Sequence, residues 1–282
     1  MNMFGLSFIK DLQKRLKFLD ENSFKEMQEI PVKENFGENF KIYNGEAIKV
    51  MSSLPDNSVD LICVDLPYGV TKNKWDKIIP LDLMWEQFHR IGKKNAAIVL
   101  TATEPFASLL IMSNIKNYKY DLIWEKTISS GQLNVAHQPM RNHENIPVFY
   151  RKKPTYNEQL TEGTPYKIKR KGVYGDTNYN AQKSSEKDNT GFRHAKSVMK
   201  VSNPRIKDGQ NTQKPVALIE KLIKMYSNEG DVVLDCCMGF GTTGVASINT
   251  NRKFIGIEID ELSYNNCFNN INLACELKNL KN

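Results

Sequence analysis

The chain has 282 residues, 40% of them hydrophobic, and a formal net charge of +7, which suits one large domain or a domain carrying an insertion. No apolar run approaches membrane-spanning length, and charged residues interrupt the apolar pattern near the N-terminus, so neither a transmembrane helix nor a signal peptide is expected. Five cysteines without a CxxC pair indicate a reduced protein of the cytoplasm. No metal site is expected, because the adjacent Cys236 and Cys237 would face opposite sides of a strand.

Residues 1–30 form the first predicted unit, an N-terminal helical extension. Phe8, Leu12, Leu16 and Leu19 recur at intervals of three to four residues with charged residues between them, as in an amphipathic helix. We expect this helix to pack on the main body of the protein. A contact in a homodimer is the alternative.

From residue 40 onward, strand patterns alternate with helix patterns. The predicted strands lie at 40–43, 59–65, 96–101, 118–124, 145–150, 231–235 and 254–258. The predicted helices lie at 47–54, 81–91, 105–113, 215–227 and 242–249, and from about 262 onward. This alternation indicates an α/β fold with a mostly parallel sheet and helices on both faces.

The segment 151–210 interrupts the alternation. Between 151 and 207 it has 14 Lys plus Arg and 5 Asp plus Glu, a net charge of +9, which leaves −2 for the rest of the chain. Tyrosines and a phenylalanine are interleaved with these basic residues, as expected of a surface that contacts nucleic acid. A disordered charged loop is the alternative. The candidate DNA contacts are Arg151, Lys152, Lys153, Lys169, Arg170, Lys171, Arg193 and Arg205.

A short stretch at the end of the second predicted strand carries the candidate chemistry. Asp65 ends this buried strand, and Leu66 is held extended because it precedes Pro67. The Asp65 carboxylate and the Leu66 carbonyl are acceptors, and Tyr68 offers an aromatic face. Two acceptors and a ring suit the exocyclic amino group of a flat base. A simple turn with a packed tyrosine is the alternative.

A glycine-rich loop follows the strand 231–235. Gly239, Gly241 and Gly244 satisfy G-x-G-x-x-G between a strand and a helix, and Glu258 ends the next strand. Asp235 would repel a phosphate, and no lysine follows the glycines as in a phosphate-binding loop. A ligand with an ammonium, a sulfonium and no phosphate fits better, which predicts S-adenosyl-L-methionine with its ribose on Glu258. A tight turn without a ligand is the alternative.

Together and in this order, the motifs resemble those of the β-class DNA amino-methyltransferases of adenine-N6 type. Asp65–Tyr68 resembles the catalytic [D/N/S]-P-P-[Y/F/W] motif of that family, and Asp235–Thr243 resembles its donor loop D-P-F-x-G-S-G-T-T. Thr212–Pro215 resembles its T-Q-K-P motif, and Asn44–Glu46 lies where the family has Gly-Asp near the donor adenine. The chain departs from the family at Leu66, Cys236 and Cys237, which replace two prolines and a phenylalanine.

The resemblance implies a Rossmann-like seven-stranded methyltransferase sheet, circularly permuted, with a basic target-recognition insertion. The implied units are a catalytic half of the core (31–150), the insertion (151–210) and a donor-binding half of the core (211–282). The implied catalytic residues are Asp65, Leu66, Pro67 and Tyr68. The implied donor-binding residues are Glu46, Asp65, Thr212, Gln213, Lys214, Pro215, Asp235, Met238, Gly239, Gly241, Thr242, Thr243 and Glu258.

The implied reaction moves a methyl group from S-adenosyl-L-methionine to N6 of an adenine flipped out of double-stranded DNA. A cytosine-N4 methyltransferase, an RNA or glutamine methyltransferase and an NAD-dependent oxidoreductase are the alternative enzymes. A catalytically inactive DNA-binding protein is the alternative from another class, given Leu66 and Cys237. The sequence leaves open a homodimer and a cognate restriction endonuclease as partners.

Overall fold

A computed structural model describes residues 33–69, 76–172, 184–203 and 213–280. The predicted helical extension (1–30) and two candidate site residues, Thr212 and Arg205, lie outside these ranges. None of the helices in the described ranges combines the length and the apolar character that are needed to span a bilayer.

A nine-stranded sheet in the order β1-β2-β13-β12-β3-β4-β6-β5-β11 forms the centre of the described molecule. The strands of this sheet are β1 (Lys33–Gly37), β2 (Phe40–Asn44), β3 (Val59–Asp65), β4 (Gly92–Thr101), β5 (Tyr118–Ser130), β6 (Arg141–Phe149), β11 (Val198–Val201), β12 (Val232–Asp235) and β13 (Lys253–Glu258). Four short strands form two small separate sheets: β7 (Thr161–Glu162), β8 (Tyr166–Arg170), β9 (Ser185–Asn189) and β10 (Phe192–Arg193). Within the nine-stranded sheet, β1 and β6 pair antiparallel to their neighbours, and the other strands share one direction. The predicted α/β class is confirmed. The sheet has nine strands where we expected seven, because β1 and β11 extend its two edges.

Helices cover both faces of this sheet. They are α1 (Ala47–Ser53), α2 (Leu81–Ile91), α3 (Phe106–Ser113), α4 (Val216–Tyr226), α5 (Thr242–Asn249) and α6 (Glu261–Asn279). The alternating side chains of β3 enter two separate cores: Ile62 and Val64 pack with α1, α2 and α3, whereas Leu61 and Cys63 pack with α4. Burial on both faces explains why β3 is a continuous apolar run rather than an alternating one.

The seven strands that share one direction end at the same edge of the sheet, which we name the carboxyl edge. Asp65 ends β3, Thr101 ends β4, Asp235 ends β12 and Glu258 ends β13, while β2 ends next to the Glu46 turn. Ligands of open α/β sheets bind outside the carboxyl ends of the strands. The catalytic and donor motifs therefore meet at one place in the fold.

Three strands are several residues longer than the apolar pattern indicates. β5 continues from the predicted end at residue 124 to Ser130, β4 begins at Gly92 rather than at residue 96, and β6 begins at Arg141 rather than at residue 145. The added part of β5 is polar and pairs with β6 as a hairpin. Since this hairpin extends beyond the core, its residues carry no hydrophobic periodicity that a sequence pattern could detect.

The described part of the segment 151–210 forms short strands rather than a loop without secondary structure. β8 pairs with β9, and β10 pairs with β7. The Arg193 guanidinium lies 4.5 Å from the centre of the Tyr166 ring and joins the two small sheets. β11 then returns to the main sheet beside β5.

Candidate active site

The Asp65 carboxylate is held by hydroxyl groups from two elements. Tyr68 donates from its hydroxyl to Oδ1 of Asp65 over 2.8 Å. Thr101 also donates to this oxygen, because the register of β3 and β4 sets the two residues side by side. About a third of the Asp65 side chain stays exposed. The carboxylate is therefore fixed in position and still accessible from the carboxyl edge.

A buried lysine faces the same carboxylate. The ammonium of Lys214 lies 2.7 Å from both carboxylate oxygens of Asp65 and 3.3 Å from Oε2 of Glu144. Lys126 forms an ion pair with the other oxygen of Glu144. Burial lowers the pKa of Lys214, but the nearby Asp65, Tyr68 and Glu144 outweigh it and raise the pKa well above its usual value. The family resemblance predicts that Lys214 contacts the methyl donor. In the structure, its ammonium contacts the candidate catalytic carboxylate of Asp65.

The Tyr68 ring has one face covered. It stacks on Phe106 with 5.6 Å between the ring centres and 29° between the planes. The Lys214 ammonium lies 5.5 Å from the centre of the Tyr68 ring. Burial raises the pKa of Tyr68, and the adjacent Asp65 raises it further, so its hydroxyl stays a donor. Leu66 is buried, which shows that the residue in place of the usual proline serves as a core side chain.

The three glycines of the donor loop serve different purposes. Gly239 has a φ of +50°, and a Cβ there would meet no atom within 4 Å, so a ligand can approach its backbone. Gly241 has a φ of +85°, and a Cβ would lie 2.5 Å from Sγ of Cys267. A Cβ on Gly244 would overlap the Ile271 side chain. Gly241 and Gly244 thus permit close packing against α6, whereas Gly239 leaves space for a ligand beside its backbone.

Two carboxyl groups lie beside this loop. Asp235 is buried, accepts from the Cys237 backbone N–H over 3.0 Å, and has its pKa raised to about 7, chiefly by burial. Oε2 of Glu258 accepts from the Gly239 N–H over 2.9 Å, and burial raises the pKa of Glu258 as well. The negative charges of Asp65 and Glu258 also raise the pKa of Asp235. An open glycine beside acidic groups fits a cationic adenosine ligand better than a phosphate.

The remaining candidate donor residues divide into two groups. Glu46 caps α1 by accepting from the Ile48 and Lys49 backbone N–H groups at 3.0 and 2.7 Å. Met238 is buried, and its sulfur lies 3.3 Å from Sγ of Cys267. By contrast, four residues lie near the start of α4 or α5: Gln213, Pro215, Thr242 and Thr243. Gln213 and Thr242 line a cavity of about 610 Å³ between α4, α5 and α6.

Residues 59–267 match the DNA methylase family. The chain belongs to this family. It is 30% identical over 245 residues to the DNA adenine methyltransferase YhdJ of Escherichia coli strain K12, and the match covers 80% of each chain. The expected class of enzyme is thereby confirmed.

Two solved structures share the fold of this DNA methylase. The M1.HpyAVI–SAM complex superposes with a TM-score of 0.57 at 23% identity and covers 83% of this chain and 99% of that one. The cytosine-N4-specific PvuII DNA methyltransferase superposes with a TM-score of 0.57 at 14% identity and covers 86% and 97%. These neighbours confirm the Rossmann-like methyltransferase fold. The expectation of S-adenosyl-L-methionine as the methyl donor is confirmed together with the family.

The candidate DNA contacts of the methylase do not form one surface. Arg151 donates to the Gly92 and Lys93 carbonyls at 2.7 and 3.1 Å, where β4 begins, so it lies at the edge of the sheet opposite Asp65. Lys152 and Lys153 follow it directly in the chain. We therefore expect that these three residues do not contact the DNA bound at the carboxyl edge.

The other candidates lie in the small sheets of the insertion. Arg193 donates to Asn189 and Thr164 and is thereby engaged within the insertion. Lys169 and Lys171 are exposed on or beside β8, and Lys169 has a surface ion pair with Glu186 at 3.1 Å. The side chain of Arg170 lies outside the described residues.

Four side chains at the site were not singled out from the sequence. Thr101 could have been identified, since it ends a predicted parallel strand and must reach the carboxyl edge. No local pattern indicates the other three, because only strand order brings them near Asp65: Phe106, Lys126 and Glu144.

Proposed function

We propose that this protein is a site-specific DNA methyltransferase that acts on the N6 amino group of adenine in double-stranded DNA. The observation that carries the proposal is the Asp65 carboxylate, fixed by Tyr68 and Thr101 at the same edge as the donor loop. The 30% identity to a relative named as an adenine methyltransferase favours adenine over cytosine.

The two oxygens of Asp65 differ in what remains available to a substrate. Among the described residues, Oδ1 accepts from Tyr68, Thr101 and Lys214, whereas Oδ2 accepts from Lys214 alone. Oδ2 therefore retains the capacity to accept an amino hydrogen of the base, with the Leu66 carbonyl as the second acceptor. These bonds orient the nitrogen lone pair and stabilise the positive charge that develops on it.

Tyr68 and its neighbours form the proposed seat for the base. Phe106 stacks on one face of the Tyr68 ring, and the Lys214 ammonium lies 5.5 Å from the ring centre. A flipped base would stack on the face that Phe106 leaves uncovered, close to this ammonium. Removing the base from the duplex costs a few kcal/mol, which stacking and the two hydrogen bonds offset in part. Because Tyr68 donates to Asp65, the same residue that stacks on the base also fixes the acceptor.

The acidic groups beside the glycine loop are the proposed donor contacts. When bound, S-adenosyl-L-methionine supplies an electrophilic methyl group. The Glu258 carboxylate lies where ribose hydroxyls could donate to it, and its bond to the Gly239 N–H holds it in place. The pKa of Asp235 is about 7, so its ionised form is accessible near neutral pH, where it adds negative charge beside the loop and disfavours phosphate ligands. Gly239 leaves its backbone open to the ligand.

The proposal is tested by incubating the protein with radiolabelled methyl donor and mixed-sequence duplex DNA, followed by mass spectrometry of the nucleosides. We expect N6-methyladenine at one recurring site. N4-methylcytosine as the product would overturn the assignment of the base and favour the alternative enzyme. Absence of label in DNA would overturn the proposed activity.

A matched pair of variants tests the catalytic role of Asp65. We expect Asp65→Ala to abolish transfer while DNA binding in a gel-shift assay is kept. Asp82→Ala, at an exposed position at the start of α2, serves as the control and should stay fully active. Full activity of Asp65→Ala would contradict the proposed role of Asp65 as an acceptor for the amino group of the base.

A homodimer, a partner endonuclease and a cytoplasmic location stay predictions.

A further inference from the structure

The tip of the hairpin between β5 and β6 exposes apolar side chains that no packing explains. We name residues 131–140 the hairpin tip; all ten are exposed. Leu133 is 99% exposed, Val135 is 58% exposed and Met140 is 40% exposed. Single exposed apolar residues are common on protein surfaces. Three of them within ten residues, at the end of a projecting hairpin, indicate a contact surface.

The hairpin tip projects from the edge that carries the candidate active site. β5 runs parallel to β4, because both strands pair antiparallel with β6, and it therefore ends at the carboxyl edge. Lys126 of β5 and Glu144 of β6 form the ion pair that contacts Lys214. The last rung of the hairpin joins Ser130 to Arg141, about 10 Å beyond Glu144 at 3.4 Å per residue.

The base of the tip is anchored to the active-site edge, and the tip itself is folded. Arg141 donates to Oγ1 of Thr103 over 2.7 Å, two residues after the end of β4. Within the tip, the Asn134 N–H donates to the Gly131 carbonyl, and the Gln138 N–H donates to the Asn134 carbonyl, both at 3.0 Å. The turn thus holds Leu133 outward as a defined projection.

The charge of the hairpin suits a polyanion. No aspartate or glutamate occurs from residue 126 to residue 143, and this stretch contains Arg141 and two histidines. Lys126 also lies in it, but its charge is paired with Glu144. Amide side chains of Gln132, Asn134 and Gln138 surround Leu133 in the chain. Amides can donate to and accept from base edges. The tip therefore combines an apolar projection with amide groups that can form hydrogen bonds to base edges, and it carries no negative side chain.

We propose that the hairpin tip enters the DNA duplex and that Leu133 fills the gap left by the flipped base, while the adjacent amides contact the unpaired partner base. This inference rests on the proposed function, which requires the target base to leave the stack. Apolar side chains inserted between base steps are a known means of stabilising unstacked DNA. Leu133 would offset part of the cost of flipping without touching the reacting atoms.

The test compares Leu133→Ala with the unmodified protein on two duplexes that carry the mapped methylation site. In one duplex the target base is paired, and in the other it stands opposite an abasic position, so that little energy is needed to flip it. We expect transfer to the paired duplex to fall on the order of tenfold. Transfer to the duplex with the abasic position should stay within about twofold of the unmodified protein, because the wedge is not needed there.

Two further variants complete the design. Leu133→Phe keeps an apolar wedge and should retain activity on the paired duplex. Leu280→Ala removes another exposed leucine, 83% exposed after α6, and should change neither rate. Equal losses on both duplexes, or no loss on the paired one, would overturn the wedge. Absence of transfer by the unmodified protein on both duplexes would instead overturn the proposed function, and this inference with it.

Discussion

The ammonium of Lys214 lies 2.7 Å from both carboxylate oxygens of Asp65, although 149 residues separate the two in the chain. Only 8% of the Lys214 side chain is exposed, so the pair is largely removed from solvent. A buried charge is costly unless it is paired, and the lysine therefore depends on Asp65 and Glu144 as much as they depend on it. The pair joins the catalytic motif to the T-Q-K-P motif.

We expect Lys214→Met to lower kcat for methyl transfer at least about tenfold, because Asp65 loses the partner that fixes both of its oxygens. Breaking a buried pair also costs about 3–5 kcal/mol of unfolding free energy. Single-turnover kinetics and urea unfolding measure the two effects. Lys224→Met, at an exposed position of α4, is the matched control. A normal kcat for Lys214→Met would show that the pair is not part of the catalytic arrangement.

Glu144→Gln should act through Lys214 rather than on the substrate. Glu144 contacts Lys214 and Lys126, so the neutral amide weakens the hold on the ammonium that faces Asp65. We expect a lower kcat with an unchanged KM for DNA. In a double-mutant cycle with Lys214→Met, the loss of transition-state stabilisation in the double variant should differ from the sum of the two single losses by about 0.5–3 kcal/mol. Strict additivity would argue that the two residues act independently.

Binding of S-adenosyl-L-methionine should depend on pH through Asp235. Burial raises the pKa of Asp235 to about 7, so the carboxyl group is protonated below this value in the ligand-free protein. A cationic ligand favours the ionised form, and its affinity should therefore fall up to about tenfold for each pH unit below 7. Isothermal titration calorimetry from pH 5.5 to 8.5 measures this, and Asp235→Asn should remove the dependence. An identical pH profile for Asp235→Asn would assign it to another group.

The same raised pKa has a consequence for stability. A carboxyl group that holds its proton more tightly in the folded protein stabilises the fold at low pH, and this contribution is lost as pH rises through about 7. Asp235→Asn should therefore reduce the loss of unfolding free energy between pH 5 and pH 8. Urea unfolding at the two pH values tests this sign.

Two glycines with almost the same positive φ allow backbone strain to be separated from packing. Gly241 has a φ of +85° and Gly230 a φ of +83°, but only Gly241 has a neighbour in the way of a Cβ, namely Cys267. Gly230→Ala should cost about 1–2 kcal/mol of unfolding free energy from the left-handed backbone alone. Gly241→Ala should cost about 1–3 kcal/mol more from the clash. Equal losses of unfolding free energy in the two variants would mean that α6 moves away from the added methyl group of Gly241→Ala without cost.

Salt dependence of DNA binding tests the role of the insertion. Lys169→Gln combined with Lys171→Gln removes two exposed charges on or beside β8. If both contact phosphates, the slope of log affinity against log salt should become shallower by about 2. The control combines Lys152→Gln with Lys153→Gln, because these lysines follow Arg151, which lies at the opposite edge of the sheet. This double variant should leave the slope unchanged. The reverse pattern would place the DNA on the opposite edge.

Much of the fold could be predicted from the sequence, because buried elements carry a strong pattern. The apolar run of β3 and the helical periodicity of α2 gave both elements their observed bounds. The strands β1 and β7 to β11 were missed, since they are short and few of their side chains are buried, so they show no clear alternation. The polar end of β5 was missed for the same reason.

The sequence by itself determined the local parts of the candidate site. The carboxylate of Asp65, the turn at Pro67 and the three glycines of the donor loop depend on neighbours within a few residues, so motifs and backbone sterics identify them. That Gly239 is the open one of the three was seen only in the structure. Donor chemistry followed in the same way, from the acidic groups that flank the glycine loop.

Only the tertiary structure decided which distant charges meet. Lys214 faces Asp65, and Glu144 faces Lys214, because the order β12-β3-β4-β6-β5 brings their elements to one edge. Arg151 lies at the other edge for the same reason, although its charge alone matched a DNA contact. Strand order results from packing of the whole sheet, and no local pattern of residues encodes it.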